Sequence, residues 1–192
     1  PTKDNYVLFN GDFADRGDNG IEVISVVCCV CLAYPDYVFM NRGNHEDLAL
    51  SVAYGLAAEI TTKYGSATRK FLRPTLDNFF RALPLATIVE EDALIVHAGP
   101  PPPPMNDETD YIPMKQLMSV NDKHTIVSKM GLSRTVQDTE GLGKIGYDSA
   151  MAKDMERHAN DVGYQNMVKG RHLIESLLWS DPIVDQEEGI LV

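Results

Sequence analysis

The chain has 192 residues, 44% of them apolar, with glycine and proline at ordinary levels, which is the size and composition of one globular domain with a real core. A formal net charge of -11, with no Lys/Arg run to override it locally, argues against a polyanionic partner, so nucleic acid is not expected as a ligand. The longest apolar run, Ile21 to Leu32, is too short to cross a bilayer and is flanked by Asp18 and Asp36, so neither a membrane segment nor a signal peptide is expected.

Tyr6 to Asn10 is a short apolar run closed by Gly11-Asp12, and Tyr37 to Met40 is another closed by Asn41-Arg42-Gly43; each reads as a buried strand. Gly20 to Tyr34 between them has the length of a crossover helix, which makes a β-α-β unit. Cys28, Cys29 and Cys31 fall inside it, at a spacing that suits neither a disulfide framework nor a structural zinc site, and are expected as buried reduced thiols. Reduced thiols and the absence of any Asn-x-Ser/Thr acceptor lead to an intracellular expectation, cytoplasmic or nuclear.

Leu48, Val52, Leu56, Ile60 and Tyr64 recur every fourth residue up to Gly65 and predict one helix; Phe71 to Leu83, with Pro74 near its start, predicts a second. Leu85 to Val89 and Ala93 to His97, separated by Glu90-Glu91-Asp92, predict a hairpin. The five prolines from Pro100 to Pro104 exclude helix and central strand. Residues 100 to 170 read as an elaborated or inserted surface region, and the apolar signal returns from Leu173 to Trp179.

Three polar clusters stand just past predicted strand ends, where open α/β sheets place their ligands: Asp12 to Gly17, Arg42 to Glu46, and His97-Ala98-Gly99. Singly they read as a salt-bridged turn, a tight loop and a core histidine; together they read as a site. Asp12, Asn44 and His97 offer a carboxylate, an amide oxygen and an imidazole, a donor set suited to divalent Mn, Fe or Zn. Asp12 has two oxygens and can bridge two ions, which about 3.5 to 4 Å apart clamp a phosphoryl group and activate a water. His45, beside a ligand, is placed to act as general acid; Asp15 can hold its imidazole in one tautomer, and Arg16 offers a fork for phosphate oxygens.

Asn10 to Gly17, Arg42 to Glu46 and Leu177-Leu178-Trp179-Ser180-Asp181-Pro182 resemble the signature motifs of the phosphoprotein phosphatase family of serine/threonine phosphatases. Within it, Asn41 to Asp47, the helix from Tyr54-Gly55 to Tyr64 and the long excursion before Trp179 are similar to the branch carrying EF-hands, with the tetratricopeptide-linked branch second. The resemblance implies an α/β metallophosphoesterase fold, a β-sandwich flanked by helices, holding two divalent metals. It implies Asp12 as bridging ligand, Asn44 and His97 as ligands of the second metal with Asn44 also facing phosphate, His45 as acid, Asp15 as its partner, Arg16 as phosphate clamp and Asp181 in support.

The family places a Gly-Asp-x-His-Gly segment upstream of Asp12 and further His and Arg residues beyond Asp181, and none of these falls within residues 1 to 192; the expectation is therefore a partial catalytic domain that is inactive alone and binds one ion at most. Position 98 is Ala where the family usually has Gly, which is tolerable only with negative φ. The implied partners are phosphorylated proteins and a regulatory subunit or a calcium-responsive region outside the segment, since no EF-hand loop occurs in it. Two alternatives stay open: a non-catalytic phosphatase-fold segment that binds phosphoproteins or regulators, and a metallophosphoesterase acting on nucleotides or other esters.

Overall fold

The computed structural model describes residues 1–100 and 160–179. Strands β1 (Val7–Phe9) and β2 (Val38–Met40) pair in parallel, Val7 opposite Val38 and Phe9 opposite Met40. Helix α1 (Gly20–Ala33) carries the chain between them, the crossover that parallel neighbours require. Its Ile24 and Val27 are buried, and its first two amides are capped from a distant helix: Glu59 Oε2 accepts Gly20 N–H at 2.9 Å and Oε1 accepts Ile21 N–H at 3.2 Å. A carboxylate there meets both the orphan donors and the positive end of the helix.

The cysteines depart from expectation. Cys28 and Cys31 pack against the core, where burial pushes both thiols up, but Cys29 is exposed. At 100° per residue, positions 28 and 31 share a helix face that 29 does not.

The single helix expected from Leu48 to Gly65 is two. Helix α2 (Leu48–Tyr54) stops at Gly55, whose φ of 126° no other residue adopts easily, and α3 (Leu56–Ala82) begins at once. The break resets the helical phase: Leu56 and Ile60 are buried, while Val52 and Tyr64, counted in the same stripe, face solvent. Helix α3 itself kinks at Gly65 (φ 85°), the expected terminus, and Pro74 lies well inside its second limb rather than near its start.

Strands β3 (Ala86–Val89) and β4 (Ala93–Val96) form the antiparallel hairpin, closed by Asp92 N–H to Val89 C=O at 3.0 Å, with Glu90 and Glu91 both at positive φ as a primed turn requires. Helix α4 (Val162–Trp179) contains the returning apolar stretch and buries Ile174, Leu177 and Leu178. It starts before Leu173, so the end of the region read as surface elaboration is helical. Residues 101–159 of that region, with His124 and His158, lie outside the described residues, as do Asp181 and the Ser180-Asp181-Pro182 segment.

Phe13, Ile24, Val27, Leu56, Ile60, Leu76 and Phe80 form the core between α1 and α3, directly beneath the loop that leaves β1. Among the described residues, no helix is long and apolar enough to cross a membrane.

Candidate active site

The loops after β1 and β2 meet backbone to backbone. A methyl on Gly11 would overlap Gly43, and one on Gly43 would overlap Asp12 Oδ1 and the Asp12 amide, so both positions need glycine for close approach. Glu46, fully buried, ties the loops together: Oε2 accepts Asp12 N–H at 2.8 Å and Gly43 N–H at 2.7 Å, and Oε1 accepts Phe13 N–H at 2.8 Å. Burial pushes its carboxyl up and the three amides oppose that. Arg42 then forks onto the Glu46 carbonyl from Nε and Nη2, at 3.1 and 2.8 Å.

Three non-glycine residues of the β1 loop sit in the left-handed region: Asp12 (φ 58°), Asp15 (φ 71°) and Arg16 (φ 58°). Each costs on the order of 1 kcal/mol or more, and the surroundings hold all three. Glu46 binds the Asp12 amide; on either side of Gly55, Tyr54 C=O accepts Arg16 N–H at 3.1 Å and Leu56 N–H donates to Asp15 Oδ1 at 3.0 Å.

This strained loop aims its side chains at His45. His45 is buried, 3% exposed, with Nδ1–H donating to Asp15 Oδ2 at 2.8 Å. Arg16 Nη2 lies 2.9 Å from His45 Nε2, and because a guanidinium can only donate, Nε2 carries the lone pair and the imidazole is neutral in this arrangement. The His45 amide donates to Asp12 Oδ1 at 3.2 Å.

His97, which directly follows β4, also reaches Asp12. Its Nδ1–H donates to the Asn10 carbonyl at 2.7 Å, which leaves Nε2 a lone pair facing Asp12 Oδ1 at 3.3 Å. Two acceptors facing each other at that distance call for a cation or a proton between them. Asn44 Oδ1 is buried with no hydrogen-bond partner, the condition of a donor atom reserved for something else. An orphaned amide oxygen, a carboxylate and a tautomer-fixed imidazole fit a hard or borderline divalent ion. Among the described residues no group of three His, Cys, Asp or Glu side chains is placed to hold a metal, so the set reaches three only through the Asn44 amide. Ala98 does not take positive φ, and its N–H donates to Leu177 C=O of α4 at 2.9 Å, so the extra methyl beside His97 is accommodated.

Beneath these residues runs a polar ladder that sequence reading did not assign to the site. Asn41 Nδ2 donates to Asn10 Oδ1 at 2.9 Å and to Ile95 C=O at 3.1 Å, Thr87 Oγ1 donates to Asn41 Oδ1 at 2.7 Å, and Asn10 Nδ2 donates to Val96 C=O at 2.7 Å. The ladder fastens the hairpin carrying His97 to the ends of β1 and β2. Its sequence signal was the asparagine closing each of those strands; the buried Glu46, next to a candidate acid, had a signal only in its position.

Five of the six described candidates are linked by contacts, Asp12, Asp15 and Arg16 each touching His45 and His97 facing Asp12, while Asn44, next to His45 in the chain, adds an orphaned amide oxygen. Residues 1–154 match the family model for calcineurin-like phosphoesterase. The chain belongs to the calcineurin-like phosphoesterases. Among relatives of this family, it is 41% identical over 130 residues to mouse "Serine/threonine-protein phosphatase with EF-hands 2", covering 68% of this chain and 16% of that protein. It is 29% identical over 182 residues to human "Serine/threonine-protein phosphatase with EF-hands 1", covering 95% of this chain and 27% of that one. Drosophila melanogaster "Serine/threonine-protein phosphatase rdgC" is 41% identical over 99 residues, 52% of this chain and 15% of its own length. A solved protein serine/threonine phosphatase from Saccharomyces cerevisiae, described as similar to human phosphatase PP5, aligns with a TM-score of 0.48 at 33% identity, covering 58% of this chain and 36% of that one. This phosphoesterase chain thus spans between 15% and 27% of the length of those curated relatives.

Proposed function

We propose that the protein to which this chain belongs hydrolyses phosphoserine and phosphothreonine monoesters in proteins, and that these residues form part of its catalytic centre. The carrying observation is the Asp15–His45–Arg16 chain of contacts beside the facing Asp12 and His97 acceptors and the orphaned Asn44 oxygen. Asp12, Asn44 and His97 would hold divalent metal (Mn, Fe or Zn), Asp12 being able to serve two ions, and this would account for the orphaned amide oxygen and the opposed acceptors. When bound, such ions neutralise phosphoryl oxygens and acidify water.

The chain's own groups supply the rest. Arg16 turns its fork from His45 to the phosphate, and Asn44 faces the same oxygens. That movement uncovers the Nε2 lone pair, which takes a proton from water to give the imidazolium, and from Nε2 that proton can pass to the departing oxygen. Asp15 keeps Nδ1 protonated and the ring oriented throughout. The names of the relatives support a protein substrate, and their EF-hands support calcium-responsive control from sequence outside this segment. A cytoplasmic or nuclear location and the supporting role of Asp181 belong to the same reading.

The test uses the complete protein with Mn²⁺, a phosphoserine peptide and an aryl phosphate. His45→Asn is expected to cost on the order of 10² to 10⁴ in rate on the peptide, whose alkoxide needs a proton, and much less on the aryl ester. Asp12→Asn is expected to lower both together. Equal losses for His45→Asn at unchanged metal content contradict the acid assignment; no peptide turnover by the wild-type protein contradicts the function.

A further inference from the structure

Tyr54 belongs to none of the motifs that carry the proposed chemistry, yet it touches both of its mobile parts. Its ring meets the His45 imidazole edge to face, centroids 5.0 Å apart at 77°, and the Arg16 guanidinium carbon stands 5.6 Å from the centroid of the same ring. Its carbonyl accepts the Arg16 amide at 3.1 Å. The hydroxyl makes no hydrogen bond among the described residues. The ring is therefore the working part, and a side chain on the last residue of α2 is well supported: Gly55 (φ 126°) turns the backbone so that Tyr54 C=O and Leu56 N–H face the β1 loop together.

We infer that Tyr54 is a positioning residue for the proposed phosphatase reaction, a rigid platform that keeps His45 and Arg16 in register; the inference rests on the functional reading above. The reason is geometric. Once Arg16 has left Nε2 for phosphate, Asp15 holds the imidazole at one ring atom only, and a ring so held can still rock about that bond. The Tyr54 ring packed against it blocks the rocking. Arg16 has to leave His45 when phosphate arrives, and a cation sliding over an aromatic face retains part of its attraction during that transfer. An aliphatic side chain of similar bulk supplies neither the flat wall nor the quadrupole.

The experiment compares Tyr54→Leu and Tyr54→Phe in the complete protein, with metal content and thermal midpoint measured alongside kinetics on the phosphoserine peptide and the aryl phosphate. Tyr54→Leu is expected to lose roughly 10²-fold in kcat on the peptide, the scale of a misplaced catalytic group. On the aryl phosphate, which does not need the acid, kcat falls far less while KM rises on both substrates because Arg16 is less well placed. Tyr54→Phe is expected to recover most of what Leu loses. Equal kcat losses on both leaving groups, or a Phe variant as poor as Leu, overturn the inference. If the Leu variant does not fold, Tyr54→Met gives the same contrast with an unbranched side chain. Should the wild-type protein turn over neither substrate, the functional reading fails and takes this inference with it; turnover without the contrast removes the inference alone.

Discussion

Glu46→Gln is the most searching perturbation of the site's framework, because it changes one atom. The carboxylate accepts three backbone amides, two on Oε2 and one on Oε1. A glutamine keeps the better-used oxygen by pointing its carbonyl at Asp12 and Gly43, which sets its NH₂ against the Phe13 N–H. One hydrogen bond to a charged acceptor is lost, worth about 1.5 to 3 kcal/mol, and a buried donor is orphaned at about 1 to 3 kcal/mol. Against this stands relief from burying a charge, the cause that pushes the Glu46 carboxyl up. The net expectation is about 2 to 4 kcal/mol of lost local stability. At 1.4 kcal/mol per decade that is roughly 30- to 700-fold faster amide exchange at Phe13, with a smaller change at Asp12 and Gly43. Hydrogen exchange of the segments around residues 10–14 and 41–45 reads this directly in the complete protein. A change of less than about threefold at Phe13 refutes the view that Glu46 clamps the two loops.

Asn10→Ala removes the ladder contacts to Val96 and Asn41 while sparing the carbonyl that His97 uses, and it is expected to weaken Mn²⁺ binding by roughly 10- to 100-fold, as loss of an outer-sphere support does; titration calorimetry checks it. Gly43→Ala drives a methyl into the Asp12 carboxylate and amide and is expected to abolish activity. Gly65→Ala, at a positive φ with nothing within 4 Å, is expected to lower stability by only about 1 kcal/mol with turnover retained. Hydrogen bonds from Lys63 and Tyr64 hold Glu22 down at about 2 in the folded state, against 4.5 ordinarily. Since the folded value is the lower one, its stabilisation is present above about 4.5 and lost as pH falls toward 2; the thermal midpoints of wild type and Glu22→Gln should therefore converge in that window, and a constant offset down to pH 2 contradicts the pairing.

What was legible in the amino acids alone was whatever depends on neighbours in sequence. Apolar runs of strand length closed by Asn-Gly or Asn-Arg-Gly, a crossover of helical length and a hairpin around Glu90-Glu91-Asp92 are local patterns, and the chain adopts each of them, although the first two strands are only partly buried, with Tyr6 and Phe39 exposed. Pairing of β1 with β2 brings the loops carrying Asp12, Asp15, Arg16 and His45 together, so these could be named as candidates in advance; His97 arrives on a separate hairpin, fastened to those strand ends by the Asn10 and Asn41 contacts.

Only the tertiary structure decided which groups hold them there. A stripe repeating every four residues cannot show that the helix breaks at Gly55, because the break is stabilised by Arg16 and Asp15, some forty residues upstream. Glu46 and Glu59 look like surface acids in sequence and are buried because they receive amides from the β1 loop and from the start of α1. Likewise nothing near Tyr54 in the chain shows that its ring lies against both His45 and Arg16. Periodicity records which face of an element is apolar, whereas the partner of a buried polar group is set by where distant backbone donors end up, and that exists only in the folded chain.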